Sequence, residues 1–506
     1  MSTTPAPGES RRLFSSTVAL IVGRLITAVF GWAGSVIIAR SLAGDDWGRY
    51  SFVFALLGLL EVVTDLGVGR VVLERLNSRS PEEASRIAGS FFVLRALLGI
   101  VGFTVAVGYA WAVGLSPLVM AATAFAGTTV LLATPANALF VLYQSRLRLT
   151  YVAAGDIVGQ VVQFLLIVVV ALLQPALLLF IIPAVAREVI VIAWRAIGVP
   201  RLLEPEFRPT FRHPTAYWGQ MLREAIPLSF GFALLHLLER IDTLMLQQMD
   251  TYDAVGKYAI GYKFSDLLAL VVSALAVPFT TVLITSWPDR PAAFRGRFQQ
   301  AVLIAAVLAG LAVTAFTPAA RPVISLLYGI EYAGGAPAAA LLVIGAGFSG
   351  VTYVVVSSLI AARKLKVFPV IAALGLVLNV VLNYLLIPLR SIVGAATATV
   401  ITEVVMLVAM LLVLQWSLRV PHLVPWAPLV RMVLLVGAVT VPATRLTGDL
   451  HLHWIPVAVG AVLVFTVVWA LAERRTSAMV LQLIRERLGG AAAAPETEKE
   501  EPHAFR

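Results

Sequence analysis

The chain has 506 residues, of which 59% are hydrophobic and only 13% charged; soluble chains average about 25% charged, so an ordinary soluble protein is excluded. The mean hydropathy of +0.91 places most of the chain in lipid, and the net charge of +10 then reports loop positions rather than affinity for nucleic acid. The absence of cysteine excludes disulfides and thiolate-held metals.

Arg11 and Arg12 precede the first apolar run in the manner of a signal peptide. The run exceeds the roughly 7–15 residues of a signal core and is expected to remain as a membrane span. A span needs about 20 apolar residues. About fourteen runs qualify: 15–41, 48–74, 88–113, 117–144, 150–173, 176–198, 222–249, 256–285, 298–317, 336–362, 367–388, 391–416, 425–446 and 453–472. Pro135, Pro183, Pro227, Pro278 and Pro442 lie inside runs and predict kinks that neighbouring helices can satisfy.

Basic residues crowd alternate loops, among them Arg75, Arg79 and Arg86; Arg146 and Arg148; Arg290, Arg295 and Arg297; Arg363, Lys364 and Lys366. That asymmetry predicts cytoplasmic termini and an even number of spans. The stretch 317–335 is the longest loop on the opposite side and is expected to be partly packed. The expected organisation is a cytoplasmic N-terminus (1–14), a first lobe (15–199), a cytoplasmic linker with four prolines (200–221), a second lobe (222–416), two extra helices (417–472) and a cytoplasmic tail (473–506). The tail reads as a short amphipathic helix followed by a disordered acidic stretch.

Two segments repeat. Trp47-Gly-Arg-Tyr-Ser opens the second run and Val255-Gly-Lys-Tyr-Ala opens the eighth. Leu59-Leu60 then falls where Leu267-Leu268 falls, and Gln163 with Leu165-Leu166-Ile167 matches Asn383 with Leu385-Leu386-Ile387. Six runs separate the partners, which predicts an all-α polytopic protein with two lobes related by a pseudo-two-fold along the membrane normal. Substrate is then expected between the lobes.

Charges interrupt the apolar runs: Arg24, Glu61, Asp65, Arg95, Glu239, Arg240, Asp242, Lys263, Asp266 and Glu403. Each costs roughly 2.5–3.5 kcal/mol at the bilayer centre, so they must face one another or a wet cavity. In one reading they pair structurally, Lys263 with Asp266 at i,i+3 and Arg24 near Glu61 and Asp65. In the other, Arg24, Arg240 and Lys263 line a cavity for an anionic substrate, since Arg and Lys both bind phosphate. The carboxylates Glu61, Asp65, Glu239, Asp242, Asp266 and Glu403 are candidates for holding those cations or coupling an ion. Asn379, Asn383 and Tyr262 are candidate polar lining residues. Interhelical hydrogen bonding by the two asparagines is the alternative, and Tyr258 and Tyr262 present faces for a sugar. His236 reads as a packed histidine.

Catalytic signatures are weak. Gly256-Lys257 is followed by Tyr258, not by a P-loop hydroxyl, so ATP hydrolysis and other cofactor chemistry are not expected. Asp45-Asp46 would suit a membrane glycosyltransferase, but the loops on that side are short and a helix cap explains the pair.

Several segments resemble bacterial polysaccharide/O-antigen flippases. They are Ala39-Arg-Ser-Leu-Ala-Gly-Asp-Asp-Trp-Gly-Arg-Tyr50 with Asp65-Leu-Gly, Arg240-Ile-Asp242, Gly256-Lys-Tyr-Ala and Tyr262-Lys-Phe-Ser-Asp266. The most specific is Leu378-Asn-Val-Val-Leu-Asn-Tyr-Leu-Leu-Ile-Pro388 with Gly394-Ala-Ala-Thr-Ala-Thr and Glu403. The resemblance implies the multidrug/oligosaccharidyl-lipid/polysaccharide (MOP, MATE-like) transporter superfamily, whose two lobes surround a central cavity. It implies a flippase, not an enzyme, acting on undecaprenyl-pyrophosphate-linked oligosaccharide in the bacterial cytoplasmic membrane. The expected partners are membrane lipid and glycan polymerase machinery, and the expected state is a monomer. It also implies a cationic first-helix residue, for which Arg24 is the counterpart. A drug or cation antiporter of the same fold and a membrane glycosyltransferase are the competing readings.

Overall fold

Long apolar runs without water to satisfy their amides can only close their hydrogen bonds internally, and helix is the single-chain solution. The computed structural model describes residues 7–65, 67–212, 215–364, 367–448 and 452–473, with side chains from residue 23 onward except 62, 63, 227, 228, 273–279, 281 and 282. Among the described residues there is helix and no strand. The elements are α1 (Pro7–Ser41), α2 (Gly44–Asp65), α3 (Val68–Ser78), α4 (Pro81–Ala112), α5 (Pro117–Ser145), α6 (Leu149–Leu173), α7 (Ile182–Leu202), α8 (Trp218–Met249), α9 (Tyr252–Ile284), α10 (Pro291–Phe316), α11 (Ala320–Leu327), α12 (Ala336–Ala361), α13 (Phe368–Leu418), α14 (Trp426–Gly448) and α15 (Trp454–Ala472).

Each of the fourteen expected runs has a helix. The runs 367–388 and 391–416 share α13, which breaks at Arg390 and at Ser391, where φ is 50°. Among the described residues, eight helices are long and apolar enough to cross a membrane, or nine if the bent pair Trp218–Ile226 and Ser229–Met249 is one span. The bend is 66°. Of the long helices outside the eight, α1, α2, α7, α8 and α9 carry interrupting charges, as do α4 and α13 within the eight.

The second run, 48–74, is not one helix. It stops at Asp65 and resumes at Val68 after Gly67, whose φ is 61°. A Cβ at Gly67 would sit 1.5 Å from Ser229 Oγ on α8. The left-handed backbone and the close approach both require glycine there. The stretch expected as a loop, 317–335, is packed: it contains α11, and Tyr332 Oη donates to Ala39 O at 2.9 Å. The proline-rich linker is also fastened, through Thr210 N to Ser85 O at 3.0 Å and Trp218 Nε1 to Ser90 O at 3.0 Å. The tail from residue 474 onward, with its expected amphipathic helix, lies outside the described residues.

Two units are distinguished by their internal packing. The first gathers α1–α8, α9 up to Leu267, the segment Ala320–Gly345 and α13 up to Met410; the second gathers the rest of α9, α10, α12 from Ala346, α13 from Leu411, α14 and α15. In the first unit, Phe52, Val53, Ala106, Val119, Ala122 and Val255 form a fully buried core that joins α2, α4, α5 and α9. In the second, α10 packs against α14 and α15, with Phe465 buried beside Gly310.

The two repeated motifs meet at the starts of α2 and α9. Trp47 Nε1 donates to Gly256 O at 3.0 Å. A Cβ at Gly48 would lie 1.7 Å from Tyr252 O, and one at Gly256 would lie 3.2 Å from both Gly44 O and Gly48 N. Only glycine lets these backbones touch. The flanking cations are neutralised on their own helices, Arg49 by Asp46 at 2.6 Å and Lys257 by Asp253 at 2.5 Å.

Candidate functional site

The site is built on one face of α2. An arginine from α4 fixes that face. Arg95 is 1% exposed and donates to Asp65 Oδ1 at 2.7 Å, Thr64 O at 2.9 Å and Thr134 O at 3.2 Å. It thus cradles the carbonyl end of α2, where a cation is favoured by the helix dipole, and ties that end to α5.

Two cavities flank this face, with Gly58 and Glu61 in both walls. The first, about 540 Å³, lies between α2–α3 and α8 and is lined by Asp65, Arg70, His236, Glu239 and Arg240. Glu239 pairs with His236 at 3.2 Å, and Arg70 lies 4.8 Å over the Phe232 ring. Arg240 reaches Asp266 at a loose 3.7 Å and lies 5.4 Å from the Tyr262 ring. Among the described residues, Arg70 and Glu61 have no ion-pair partner within 4.0 Å.

The second cavity, about 490 Å³, is enclosed by α2, α5, α6 and α7. Its two cations are each paired with a carboxylate, and the shared Glu61 is the charge in its wall without an ion pair among the described residues. Arg195 donates to Asp156 at 2.8 Å and to Ala136 O at 2.9 Å, while Arg187 bonds its neighbour Glu188. Asn137 and Gln163 line the same space.

The sequence-derived candidates are therefore dispersed. Glu61, Asp65, Glu239 and Arg240 come together in the first cavity. Asp242 does not join them, because two residues along a helix turn the side chain to the opposite face. It is fully buried and accepts from Tyr258 at 2.5 Å, Tyr262 at 2.6 Å, Thr399 at 3.2 Å and Thr243 N at 2.8 Å. Both tyrosine hydroxyls are thereby occupied in the core. Asp266 has its ion pair with Arg240 on α8, while Lys263 on its own helix is half-buried with no carboxylate within 4.0 Å among the described residues. Arg24 is exposed on α1, beside Gly23, which packs on Ala153 of α6; neither cavity includes it. Asn379 and Asn383 are fully buried and bonded to each other at 2.8 Å along α13. Glu403 is buried at 8% exposure.

Sequence reasoning passed over Arg70, Asn137, Asp156, Arg187, Glu188 and Arg195. The signal was present: Arg187, Glu188 and Arg195 all interrupt the sixth apolar run. Asp156, the partner of Arg195, lies on another helix, which spacing along the chain does not reveal.

Helices long and apolar enough to span a membrane accompany these charged cavities, and the same fold occurs among solved membrane proteins. The fold matches a lipid II flippase MurJ in an inward closed conformation, at a TM-score of 0.71 and 11% identity over 90% of this chain and 99% of that one. It matches an inward-facing MATE-family multidrug resistance transporter of the MOP superfamily at 0.67 and 13% identity, over 80% of this chain and 99% of that one. A MOP-superfamily transporter from Pyrococcus furiosus, described as having a binding pocket of reverse polarity, matches at 0.58 and 13% identity over 81% and 95%. No curated protein sequence matches. The model of the polysaccharide biosynthesis protein family matches residues 13–284, more than half the chain, and the chain belongs to that family.

Proposed function

We propose that the chain is a flippase that carries a polyprenyl-diphosphate-linked oligosaccharide, of the undecaprenyl type, from the inner to the outer leaflet of a bacterial cytoplasmic membrane by alternating access. The observation that carries this reading is the first cavity, where Arg70 and Arg240 stand on facing helices, α3 and α8. Arg70 lacks an ion-pair partner among the described residues and Arg240 has a loose one at 3.7 Å. Guanidinium groups so placed can take the two phosphates of a diphosphate. Family membership and the flippase-like fold support it.

Arg24 and Lys263 then serve the anion in other states of the cycle. The two lobes, 15–199 and 222–416, rock about the touching glycine motifs, and both termini face the cytoplasm. One charge crossing 100 mV is worth about 2.3 kcal/mol, so a headgroup of about two negative charges is driven outward by an inside-negative potential. The protein acts as a monomer alongside glycan polymerase machinery and catalyses no covalent step.

Purified protein in vesicles, given a polyprenyl-diphosphate oligosaccharide in one leaflet, tests this through accessibility of the glycan to an added glycosidase. Wild type moves the lipid, and an imposed potential changes the rate. Arg70→Ala and Arg240→Ala slow it, and Arg24→Ala and Lys263→Ala slow it less. Full activity in all four variants rejects the cationic assignment. The second reading, a cation antiporter of the same fold, is favoured by Glu61, which has no ion-pair partner within 4.0 Å among the described residues. Uptake of an organic cation that depends on Glu61 would establish it.

A further inference from the structure

The second cavity has a different chemistry from the first. Its two cations are each matched by a carboxylate, Arg195 by Asp156 and Arg187 by Glu188. Such a space offers little to an anion. It nevertheless retains unused hydrogen-bonding capacity. Asn137 and Gln163 line the space with amides that bond no other described residue. A primary amide both donates and accepts, so the space suits a ligand rich in both donors and acceptors. An uncharged polyol ring has that character. Phe54 stands in the wall as an apolar surface for the ring's C–H face.

Position is the second argument. The two cavities share Gly58 and Glu61. A Cβ at Gly58 would meet no atom within 4 Å, so the glycine leaves open space at their common wall.

We propose that the cavity between α2, α5, α6 and α7 is a saccharide subsite, which receives a neutral sugar residue of the headgroup while the diphosphate lies in the first cavity. The proposal rests on the flippase reading. Asn137 and Gln163 are its specificity-determining residues, because their amides are not committed to the fold. The ion-paired arginines present fixed donors, and Gly58 leaves the way between the two subsites open.

Two probes separate this from the reading beneath it: a polyprenyl diphosphate, and the same lipid bearing one N-acetylhexosamine. Dissociation constants for each are measured with purified wild type, with N137A/Q163A and with Gly58→Leu. The quantity read is the ratio of the two constants. Wild type prefers the glycosylated lipid, and each variant lowers that preference about tenfold, the first by removing the amides and the second by filling the passage. The two variants alter different residues, so one that fails to fold leaves the other as the test. An unchanged ratio in the variants overturns the subsite. Equal binding of both lipids by wild type overturns it too, while leaving the flippase reading intact. Binding of neither lipid by wild type overturns both.

Discussion

The two cavities share a wall and differ in almost everything else. On the α8 side the charges are loosely tied, with pairs at 3.2 and 3.7 Å and an arginine resting on an aromatic ring. On the α7 side the Arg195–Asp156 pair is short and its arginine is buried. Charge with slack can exchange its partner for a ligand. Charge tied down and buried fixes geometry and leaves recognition to the neutral amides beside it. One face of α2 thus presents an ion-seeking surface and a hydrogen-bonding one.

The contrast can be broken most forcefully at its common support. Arg95→Leu removes three hydrogen bonds from a charged group and strands the Asp65 carboxylate and the Thr64 carbonyl at the end of α2, so it should cost upward of about 3 kcal/mol and abolish both binding functions. Thermal unfolding of the detergent-solubilised protein measures this. Asp156→Ala comes next. It strands the buried Arg195, a defect of about 3 kcal/mol, whereas Asp266→Ala, which frees the half-exposed Arg240, should cost no more than about 1 kcal/mol. Equal losses of stability in the two would erase the distinction between tied and slack pairs. Arg70→Ala should leave the unfolding temperature nearly unchanged and weaken binding of bare polyprenyl diphosphate about tenfold; a stability loss with normal binding would make Arg70 structural.

The smallest expected effect sharpens the contrast at matched places in the two halves. Gln163 and Asn383 fall opposite each other when the two similar segments are aligned, yet one amide lines a cavity and the other is buried against Asn379. Gln163→Leu should change stability by less than about 0.5 kcal/mol. Asn383→Leu should cost about 2 kcal/mol by orphaning its partner and leave lipid preference alone. Chemical denaturation of the pair of variants checks both.

The residues that the sequence made legible are those whose meaning is local. Apolar run length located the helices, and the break between 388 and 391 separated two runs that one helix label joins. The membership of Arg240 in a cavity followed from its cost in lipid. What was not legible depends on which helix lies opposite. The i,i+3 spacing of Lys263 and Asp266 shows a shared face, but Asp266 has its ion pair with Arg240, from another helix. Asp242 looked like Arg240 in the sequence and differs only because a helix turns about 200° in two residues. The interruption at Gly67 was hidden because the apolar pattern runs through it; the demand for glycine comes from Ser229 on a distant helix.

The meeting of the two glycine motifs has a consequence for symmetry. Gly48 presses on the carbonyl of Tyr252, and Gly256 on that of Gly44. Exchanging 44 with 252 and 48 with 256, as the repeat aligns them, maps each contact onto the other. A surface that contacts its own copy in this reciprocal way is an isologous interface, the mark of a two-fold dimer. Here it lies within one polypeptide, so a single chain carries at this junction both halves of a self-complementary surface, with glycine at the two points where the backbones touch.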